Sequence, residues 1–522
     1  MTPIRIFIVA AMLLILGVPF LMRPAQSKIH TDADLLVIVS PHVMQIRNEF
    51  SAGFESWYFA KTGKRARIIW NTPGGTSEIL KSLQAQYTAA IKNGDIKPDG
   101  SCKPGAIPID LALGGGSFDH GRIKKGVTVK MADGQPDISM SMSISAGFTP
   151  QELDGWYGDN VIGAQTLYDP DQCWIGTALS SFGIVYSRDL CKKMGIPEPT
   201  SFDDLGRPEL AGMVALADPR QSGSIATTFD AILSAYGWDR GWKALRDMSA
   251  NTRYFTNSST KPPIDVGAGE AAMGLAIDFY GRNQAESISL PGQDPATSRV
   301  GYCDPKGTVY IDADPASLLR GGPNPELARE FIRYTLSDEG QALWNFPHQK
   351  DPRSKTNPKT QDGRAIGPLE NNLRRLPVRR EIYKKYWDNL TDHVNPYDLA
   401  TTNKPKGWRD AIAPMMAAFA IDTADEQRDA WRSLCHARKD LGFSKAVLAE
   451  METLFYSWPT HTLADGTEIE FSEANIKKIL DSWKEAAKKD PGQITRWQIG
   501  YVEYFRNTYK RITELGTREM AQ

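Results

Sequence analysis

Residues 35–70 read LLVIVSPHVMQIRNEFSAGFESWYFAKTGKRARIIW, and the change of pattern within this stretch decides the fold. Residues 35–39 form a continuous apolar run of strand length, which is typical of a strand buried in a parallel sheet. From Val43 to Trp57 apolar residues recur every three or four positions, which predicts a helix, and Gly63 is a stop signal for it. Residues 67–70 predict a second strand. Strand, helix and strand in this order predict an α/β fold.

The same alternation continues along the chain. Further strands are predicted at residues 107–113, 183–186, 213–216 and 272–277, with helices between them. From residue 363 onward the chain is instead rich in Lys, Glu, Trp and Tyr at helical spacing. We therefore expect two α/β lobes followed by a mostly helical C-terminal extension over residues 363–522.

Composition excludes several classes of protein. The 522 residues include 61 Lys and Arg against 62 Asp and Glu, so no net field attracts nucleic acid or a membrane surface. Five cysteines are too few for a disulfide scaffold, and they follow no CxxC zinc pattern. No GxSxG, HExxH or GxxxxGK[ST] motif occurs, so no motif supports catalysis.

The N-terminus predicts export. Arg5 precedes an apolar run over residues 6–22, and the small residues Ala25 and Ser27 suit a cleavage site. Residues 1–27 are therefore predicted to be a signal peptide, or an N-terminal membrane anchor if the run is retained, since it is almost long enough to span a bilayer. No cysteine follows the run, which argues against a lipid-modified cysteine. We expect the protein in the periplasm or outside the cell.

Four loops, each between a predicted strand and a predicted helix, are candidates for ligand binding. Open α/β sheets bind ligands at this position. A helix N-terminus with hydroxyl and glycine residues offers unpaired N–H groups and a partial positive charge to an anion. Ser and Thr are also ordinary helix caps, which is the competing interpretation of each loop taken alone. The candidates are Ser40 and His42; Gly75, Thr76 and Ser77; Gly115, Gly116 and Ser117; and Ser222, Gly223 and Ser224.

Three further side chains suggest two kinds of site. His42 follows the first predicted strand, and Asp278 and Tyr280 follow the strand predicted at residues 272–277. Histidine, tyrosine and carboxylate can bind a hard cation such as ferric iron, and they can also hydrogen-bond an oxyanion. The residues alone leave both alternatives open.

Several motifs resemble the ferric-iron-type branch of the solute-binding proteins of ABC importers. They are WIGTALSSFGIVY at residues 174–186, PTSFDDL at 199–205 and LAGMVAL at 210–216. Weaker matches in the same order extend the resemblance to about residues 35–344.

The resemblance implies a two-lobed periplasmic-binding-protein fold of the Venus-flytrap kind, type II, with strands that cross between the lobes. Lobe 1 is expected to comprise residues 33–175 and 290–350, and lobe 2 residues 176–289. The extension over residues 363–522 has no counterpart in typical members.

The resemblance also bears on the ligand. Iron-binding members hold the metal with a histidine, a glutamate and two adjacent tyrosines. His42 matches the histidine, but the glutamate position falls near Gly115 and the tyrosine pair falls on Phe279 and Tyr280. Only His42 and Tyr280 therefore remain as ligands if ferric iron is bound, and much of the negative charge that a ferric ion needs is missing.

The anion-binding side of the family's site is retained. Ser222, Gly223 and Ser224 match the segment that contacts a bound phosphate or carbonate, and Asn257 and Ser258 match another contacting stretch. The resemblance therefore implies that the solute carries an oxyanion.

We expect an extracytoplasmic solute-binding component of an ABC importer, a monomer without a cofactor or enzymatic activity. It would hold a small phosphorylated, phosphonate or carboxylate ligand between its lobes and pass it to a membrane permease. Three alternatives stay open: a ferric-iron carrier that uses His42, Asp278 and Tyr280; an exported hydrolase or transferase with Asp278 as a base; and a membrane-anchored ligand sensor.

Overall fold

A computed structural model of the chain describes residue 12 and residues 33–131, 136–290, 293 and 295–520. The predicted export signal, residues 1–27, lies outside the described residues apart from Met12. In the part of the chain that is described, no helix combines the length and the apolar character needed to cross a bilayer.

Two of the strands are long, and the others are short. The strands are β1 (Asp34–Val39), β2 (Ala66–Asn71), β3 (Leu111–Leu113), β4 (Val127–Val129), β5 (Ile138–Met140), β6 (Ser143–Ile144), β7 (Ile175–Ser187), β8 (Val214–Ala217), β9 (Thr252–Thr256), β10 (Met273–Ile277), β11 (Val300–Cys303), β12 (Ile311–Leu319), β13 (Leu376–Pro377), β14 (Thr460–Thr462) and β15 (Glu468–Glu470).

Helices alternate with these strands as far as residue 345 and dominate the chain beyond it. The helices are α1 (Met44–Thr62), α2 (Thr76–Lys92), α3 (Ser117–Lys125), α4 (Pro150–Tyr157), α5 (Arg188–Met194), α6 (Gly223–Tyr236), α7 (Trp238–Ala250), α8 (Lys261–Ala268), α9 (Asp278–Ser287), α10 (Pro325–Thr335), α11 (Asp338–Asn345), α12 (Arg380–Lys385), α13 (Pro396–Leu399), α14 (Arg409–Met416), α15 (Ala424–Lys439), α16 (Lys445–Tyr456), α17 (Ile476–Lys489) and α18 (Pro491–Met520).

One sheet runs through the molecule in the order β2-β1-β3-β12-β7-β10-β8-β9. Its first half is β2, β1 and β3, and its second half is β10, β8 and β9. The strand β7 joins the halves, because its residues 175–181 pair with β12 and its residues 182–187 pair with β10 and β11. All 13 residues of β7 are buried, so at 3.3 Å per residue a strand about 40 Å long forms the spine of both halves.

The core of the first half lies between the sheet and helices α1, α10 and α11. Phe50 of α1 contacts Trp344 of α11 with ring centroids 4.4 Å apart, and Phe54 contacts Phe331 of α10 at 5.2 Å. These rings come from the apolar positions of α1 that the spacing predicts. They fix α1, and with it the loop before α1, on the sheet.

The core of the second half is shared with the C-terminal extension. Trp238 at the start of α7 meets Trp408 edge to face, with ring centroids 5.1 Å apart, and the buried Trp431 and Tyr509 belong to the same apolar cluster. The last helices therefore form one hydrophobic unit with the second half. The earlier part of the extension instead contacts the first half through β13, which pairs with β7.

Arg246 of α7 shows how closely the extension is joined to the second half. Its side chain is 1% exposed, and its guanidinium lies 4.0 Å from the ring centroid of Trp458. It donates hydrogen bonds to the backbone carbonyls of Phe455 and, at 2.7 Å, of Ser457. A buried guanidinium is tolerated only with such partners, so α7 requires the extension.

The predicted fold class is confirmed: two α/β halves joined by crossing strands, with a helical C-terminal region. One strand is shorter than predicted, because only Leu111–Leu113 of residues 107–113 forms a strand. Pro108 has no N–H for a ladder, and the carboxylate of Asp110 accepts the N–H of Val37 at 2.9 Å. The residue bounds of the two lobes stay a prediction.

We predict that Arg246→Ala lowers the free energy of unfolding by about 3 kcal/mol, because it leaves two buried carbonyls unpaired and removes the packing between α7 and the extension. Denaturant unfolding measures the change. The matched control is Arg240→Ala on the same helix, whose side chain is 60% exposed and whose ion pair is worth less than about 1 kcal/mol. Equal effects of the two substitutions would contradict the shared core.

Candidate ligand-binding cleft

A cleft of about 530 Å³ lies where loops of the two halves face each other across β7 and β12. This volume is typical of a small-molecule site. The first half contributes residues 41–42, 74–76 and 115–116, and the second half contributes residues 221–224 and 257–260. The crossing strands contribute the floor, with Ser180, Phe182, Asp312 and Asp314.

Four helices begin at this cleft. The residues that precede α2, α3, α6 and α8 all line it; they are Gly75, Gly116, Ser222 and Thr260. Gly75, Gly116 and Thr260 make no side-chain cap to the helix that follows. The backbone N–H groups at the start of α2 are therefore available to a ligand. At α3 the N–H of Ser117 already bonds Asp312, and at α8 the N–H of Lys261 bonds Ser258 while Pro262 and Pro263 have none.

The loops approach each other so closely that two positions require glycine. A Cβ on Gly223 would collide with Thr76 Oγ1 and with the carboxylate of Asp119, which belong to the opposite half. Gly115 has φ +106°, a conformation that residues with a side chain rarely adopt. These glycines let the halves meet at the edge of the cleft.

Hydroxyl groups form a chain along the second-half wall. Ser222 Oγ lies 3.1 Å from Ser224 Oγ, and Ser224 donates to Ser259 Oγ at 2.9 Å. Ser258 Oγ lies 2.9 Å from Thr260 Oγ1. Hydroxyls can rotate to donate or accept, so this wall can adapt its hydrogen bonds to an oxyanion.

A buried ion pair lies at the first-half end of the cleft. Asp314 Oδ2 lies within hydrogen-bond distance of His42 Nε2, at 2.9 Å, and forms an ion pair with the guanidinium of Arg375 at 2.8 Å. Arg375 also donates to Ser180 Oγ at 2.7 Å, and its guanidinium lies 4.4 Å from the ring centroid of Phe279. Burial alone would raise the pKa of Asp314, but the charges of Arg375 and His42 hold it below its usual range.

Arg375 comes from the segment after the α/β halves, and this segment is firmly held. The carboxylate of Glu49 on α1 accepts the backbone N–H groups of Leu369 at 2.6 Å, Glu370 at 3.0 Å and Asn371 at 2.9 Å. The N–H of Arg375 donates to the carbonyl of Trp344 at 2.7 Å. The guanidinium therefore enters the cleft from a fixed backbone.

Five cleft residues hold buried polar atoms that have no hydrogen-bond partner among the described residues. Native proteins pair nearly all such atoms, so a cluster of exceptions marks a place where another molecule supplies the partners. The atoms are His42 Nδ1, Thr76 Oγ1, Asp312 Oδ1, Asp314 Oδ1 and Arg375 Nε.

Most of the predicted site residues line this one cleft. They are His42, Gly75, Thr76, Gly115, Gly116, Ser222, Gly223, Ser224, Asn257, Ser258 and Tyr280. That they contact a ligand stays a prediction, but the structure brings them together from both halves.

Four predicted residues do not line the cleft. Ser40 is fully buried, and its hydroxyl accepts the N–H of His42 at 3.1 Å. Ser77 is the second residue of α2, and Ser117 uses its N–H to hold Asp312 Oδ2 at 3.1 Å. Asp278 is fully buried beside the cleft and pairs with Arg282 at 3.0 Å; burial raises its pKa to about 7.

Sequence reasoning missed Arg375, Asp312, Asp314 and Ser259. Arg375 lies beyond the part of the chain that resembles the family, where no pattern indicates a cleft residue. The two aspartates lie inside a buried strand, and acidic residues are rare there, so β12 gave no strand signal. Ser259 directly follows Asn257 and Ser258, which were predicted to bind the ligand. This adjacency in sequence was the one signal that could have indicated Ser259.

Comparison with known proteins gives three kinds of match. The model of the family described as bacterial extracellular solute-binding protein matches residues 140–362. The phosphoglycerate transport regulatory protein PgtC of Salmonella typhimurium is 22% identical over 346 residues, which is 65% of this chain and 74% of that protein. An uncharacterized protein of Haemophilus influenzae is 29% identical over 153 residues, 29% of this chain and 41% of its own length.

Among solved structures, the periplasmic binding protein AfuA of Actinobacillus pleuropneumoniae, with fructose-6-phosphate bound, is similar with a TM-score of 0.48 and 17% identity. The match covers 75% of this chain and 99% of AfuA. The ferric ion-binding protein A of Pasteurella haemolytica has a TM-score of 0.47 and 13% identity, over 74% and 97% of the two chains.

The family match covers β7, most of the second half and β12, and these are the elements that carry the floor and one wall of the cleft. Residues 140–362 of the chain are thus similar to the bacterial extracellular solute-binding proteins.

Proposed function

We propose that the protein captures a small anionic solute, most specifically a phosphorylated one, in the cleft and presents it to an ABC permease. The observation that carries the proposal is that the starts of α2 and α6, which come from opposite halves, and the buried guanidinium of Arg375 meet at one cavity. Each helix start stabilises a nearby anion by about 0.3–1 kcal/mol, and more where it is partly buried.

The charged side chains that line the cleft are Glu78, Asp312, Asp314 and Arg375, so the case for an anion depends on the available hydrogen-bond donors and not on net charge. Arg375 and Asp314 form a neutral pair, so the ion pair does not repel an anion, and Arg375 Nε is left free to donate. Asp312 receives the N–H of Ser117 at the start of α3, which partly offsets its charge. The donors that remain are backbone N–H groups, hydroxyls and one guanidinium N–H, which match an oxyanion.

The same residues disfavour the ferric-iron alternative. Burial raises the pKa of Tyr280 to about 12, so the phenolate that would bind ferric iron is costly to form. His42 Nε2 already lies within hydrogen-bond distance of both Asp314 and Arg375. In the described ranges no group of three or more His, Cys, Asp and Glu side chains is arranged to hold a metal ion.

Closure of the two halves on the solute supplies the mechanism. A ligand that contacts Thr76 from one half and the Ser222 loop from the other stabilises the closed arrangement, and only such differential affinity shifts the equilibrium. The permease would then read the closed form. We propose binding without chemistry, because residues 140–362 match a family of solute-binding proteins.

The name of the Salmonella relative supports phosphate as the anion and also favours a second role. That protein is named for the regulation of phosphoglycerate transport. The same cleft could report a bound solute to a membrane partner instead of delivering it. Uptake of labelled solute by cells that lack the gene separates the roles: lost uptake supports delivery, and normal uptake with lost induction of a transporter supports sensing.

We predict that Arg375→Gln weakens the binding of 3-phosphoglycerate or glycerol 3-phosphate, measured by calorimetry, by about 10- to 100-fold. The substitution removes a charge-assisted hydrogen bond that is worth about 1.5–3 kcal/mol. Arg380→Gln is the matched control, since Arg380 follows closely in the chain and does not line the cleft. Equal affinity of the wild-type protein and the Arg375 variant would show that the guanidinium does not contribute to ligand binding.

We predict that Ser222→Ala combined with Ser224→Ala weakens the binding of the same ligands by about 5- to 30-fold in a protein that stays folded, with a loss of about 1 kcal/mol of stability because Ser222 Oγ also caps α6 at the N–H of Ile225. Two neutral hydrogen bonds of about 0.5–1 kcal/mol each are lost. Ser234→Ala on the same helix, outside the cleft, is the control. Unchanged affinity of the double variant would exclude this loop from the site.

A further inference from the structure

Resting on the proposed anion-binding function, we propose that the solute carries a hydroxyl group beside its anionic group, and that the carboxylate of Asp312 accepts the hydrogen bond of that hydroxyl. The solute is then a hydroxylated organic anion rather than a bare inorganic one.

The floor of the cleft is the starting point. Asp312 and Asp314 are two residues apart on β12, so their side chains lie on the same face of the strand. Asp312 is 2% exposed and Asp314 is 1% exposed, and both line the cleft. Two carboxylates buried together at the bottom of a ligand cavity are costly unless donors surround them.

Each of these carboxylates has partners for only one of its two oxygens. Oδ2 of Asp314 receives His42 and Arg375, and Oδ2 of Asp312 receives the N–H of Ser117 at 3.1 Å. Oδ1 of both residues is buried and has no donor within the chain. Leaving a buried acceptor without a donor carries a large penalty, so the bound state must supply one.

A fully ionised anionic group alone cannot do this. The oxygens of an ionised carboxylate or phosphate dianion only accept hydrogen bonds, and beside Asp312 they would add repulsion instead of a donor. The unpaired donors of the cleft are on Thr76, on Arg375 and at the start of α2. The cavity therefore offers donors to one part of the solute and acceptors to another, and a cavity of about 530 Å³ has room for both parts.

The donor is a neutral hydroxyl rather than an ammonium group. Arg375 already compensates the charge of Asp314, and the start of α3 at Ser117 partly compensates that of Asp312. A cation in this place would meet Arg375 and His42 on the same floor. A hydroxyl donates the hydrogen bond that the carboxylate oxygen lacks and adds no charge. It therefore suits carboxylates whose charges are already compensated.

The test compares phosphate esters with and without hydroxyl groups by calorimetry on the full chain. Glycerol 3-phosphate is paired with propyl phosphate, and 3-phosphoglycerate is paired with 3-phosphopropionate. We expect the hydroxylated member of at least one pair to bind 10-fold tighter or more, because a site built to receive a hydroxyl rejects an analogue that lacks it.

Asp312→Ala should reduce the affinity ratio within that pair to about one, while propyl phosphate or 3-phosphopropionate keeps its wild-type affinity. Asp312→Asn keeps the shape and an acceptor for Ser117, so it provides a folded variant in any case and should give a lower ratio than the wild type. Both members of a pair are measured on the same variant. A smaller fraction of folded protein therefore affects both affinities equally and leaves their ratio unchanged.

The outcomes separate this proposal from the one on which it rests. If phosphate esters bind but the two members of each pair bind equally, or if Asp312→Ala leaves the ratio unchanged, the role of Asp312 is wrong and the anion site stands. If O-phosphoethanolamine binds tighter than every hydroxylated ester, the donor is an ammonium group and the proposal is overturned. If no phosphate ester binds, both proposals fail.

Discussion

The pairing of β7 with β12 is the constraint on which the rest of the structure depends. These antiparallel strands are buried along their lengths, and β7 continues from the first half of the sheet into the second. Their register sets Asp312 opposite Ser180 and Asp314 opposite Ala178. The strands that precede the cleft loops belong to the same sheet as this pair, so the pair forms the floor of the cleft and connects its two walls.

The chemistry of the cleft follows from how the charges of the buried carboxylates on its floor are compensated. Removing one partner of a buried ion pair costs several kcal/mol, because the other charge is left behind. Asp314 therefore needs Arg375, and Arg375 needs the segment that Glu49 holds against α1. The C-terminal extension is thus part of the binding site at one end, through Arg375, and part of the second-half core at the other, through Arg246 and Trp408.

Much of this arrangement could be predicted from the sequence, for a physical reason. Apolar periodicity locates strands and helices, and the loop between a strand end and a helix start is where an open sheet binds ligands, so the loops around Gly75, Gly116 and Ser222 could be found. What could not be found depends on distant contacts. Arg375 reaches Ser180, 195 residues earlier in the chain, only after folding. The acidic residues of β12 hide the strand from sequence patterns, because the partners that compensate their charges are distant in sequence. No sequence pattern indicated that Asp278 pairs with Arg282 instead of lining the cleft.

Native mass spectrometry of the purified full chain, compared before and after denaturation, tests the central claim most directly. The account predicts that the folded protein retains a small molecule whose released mass and fragmentation show a phosphate group and at least one hydroxyl group. Release of ferric iron, or of a small molecule without an acidic group, from stoichiometrically loaded protein would contradict it.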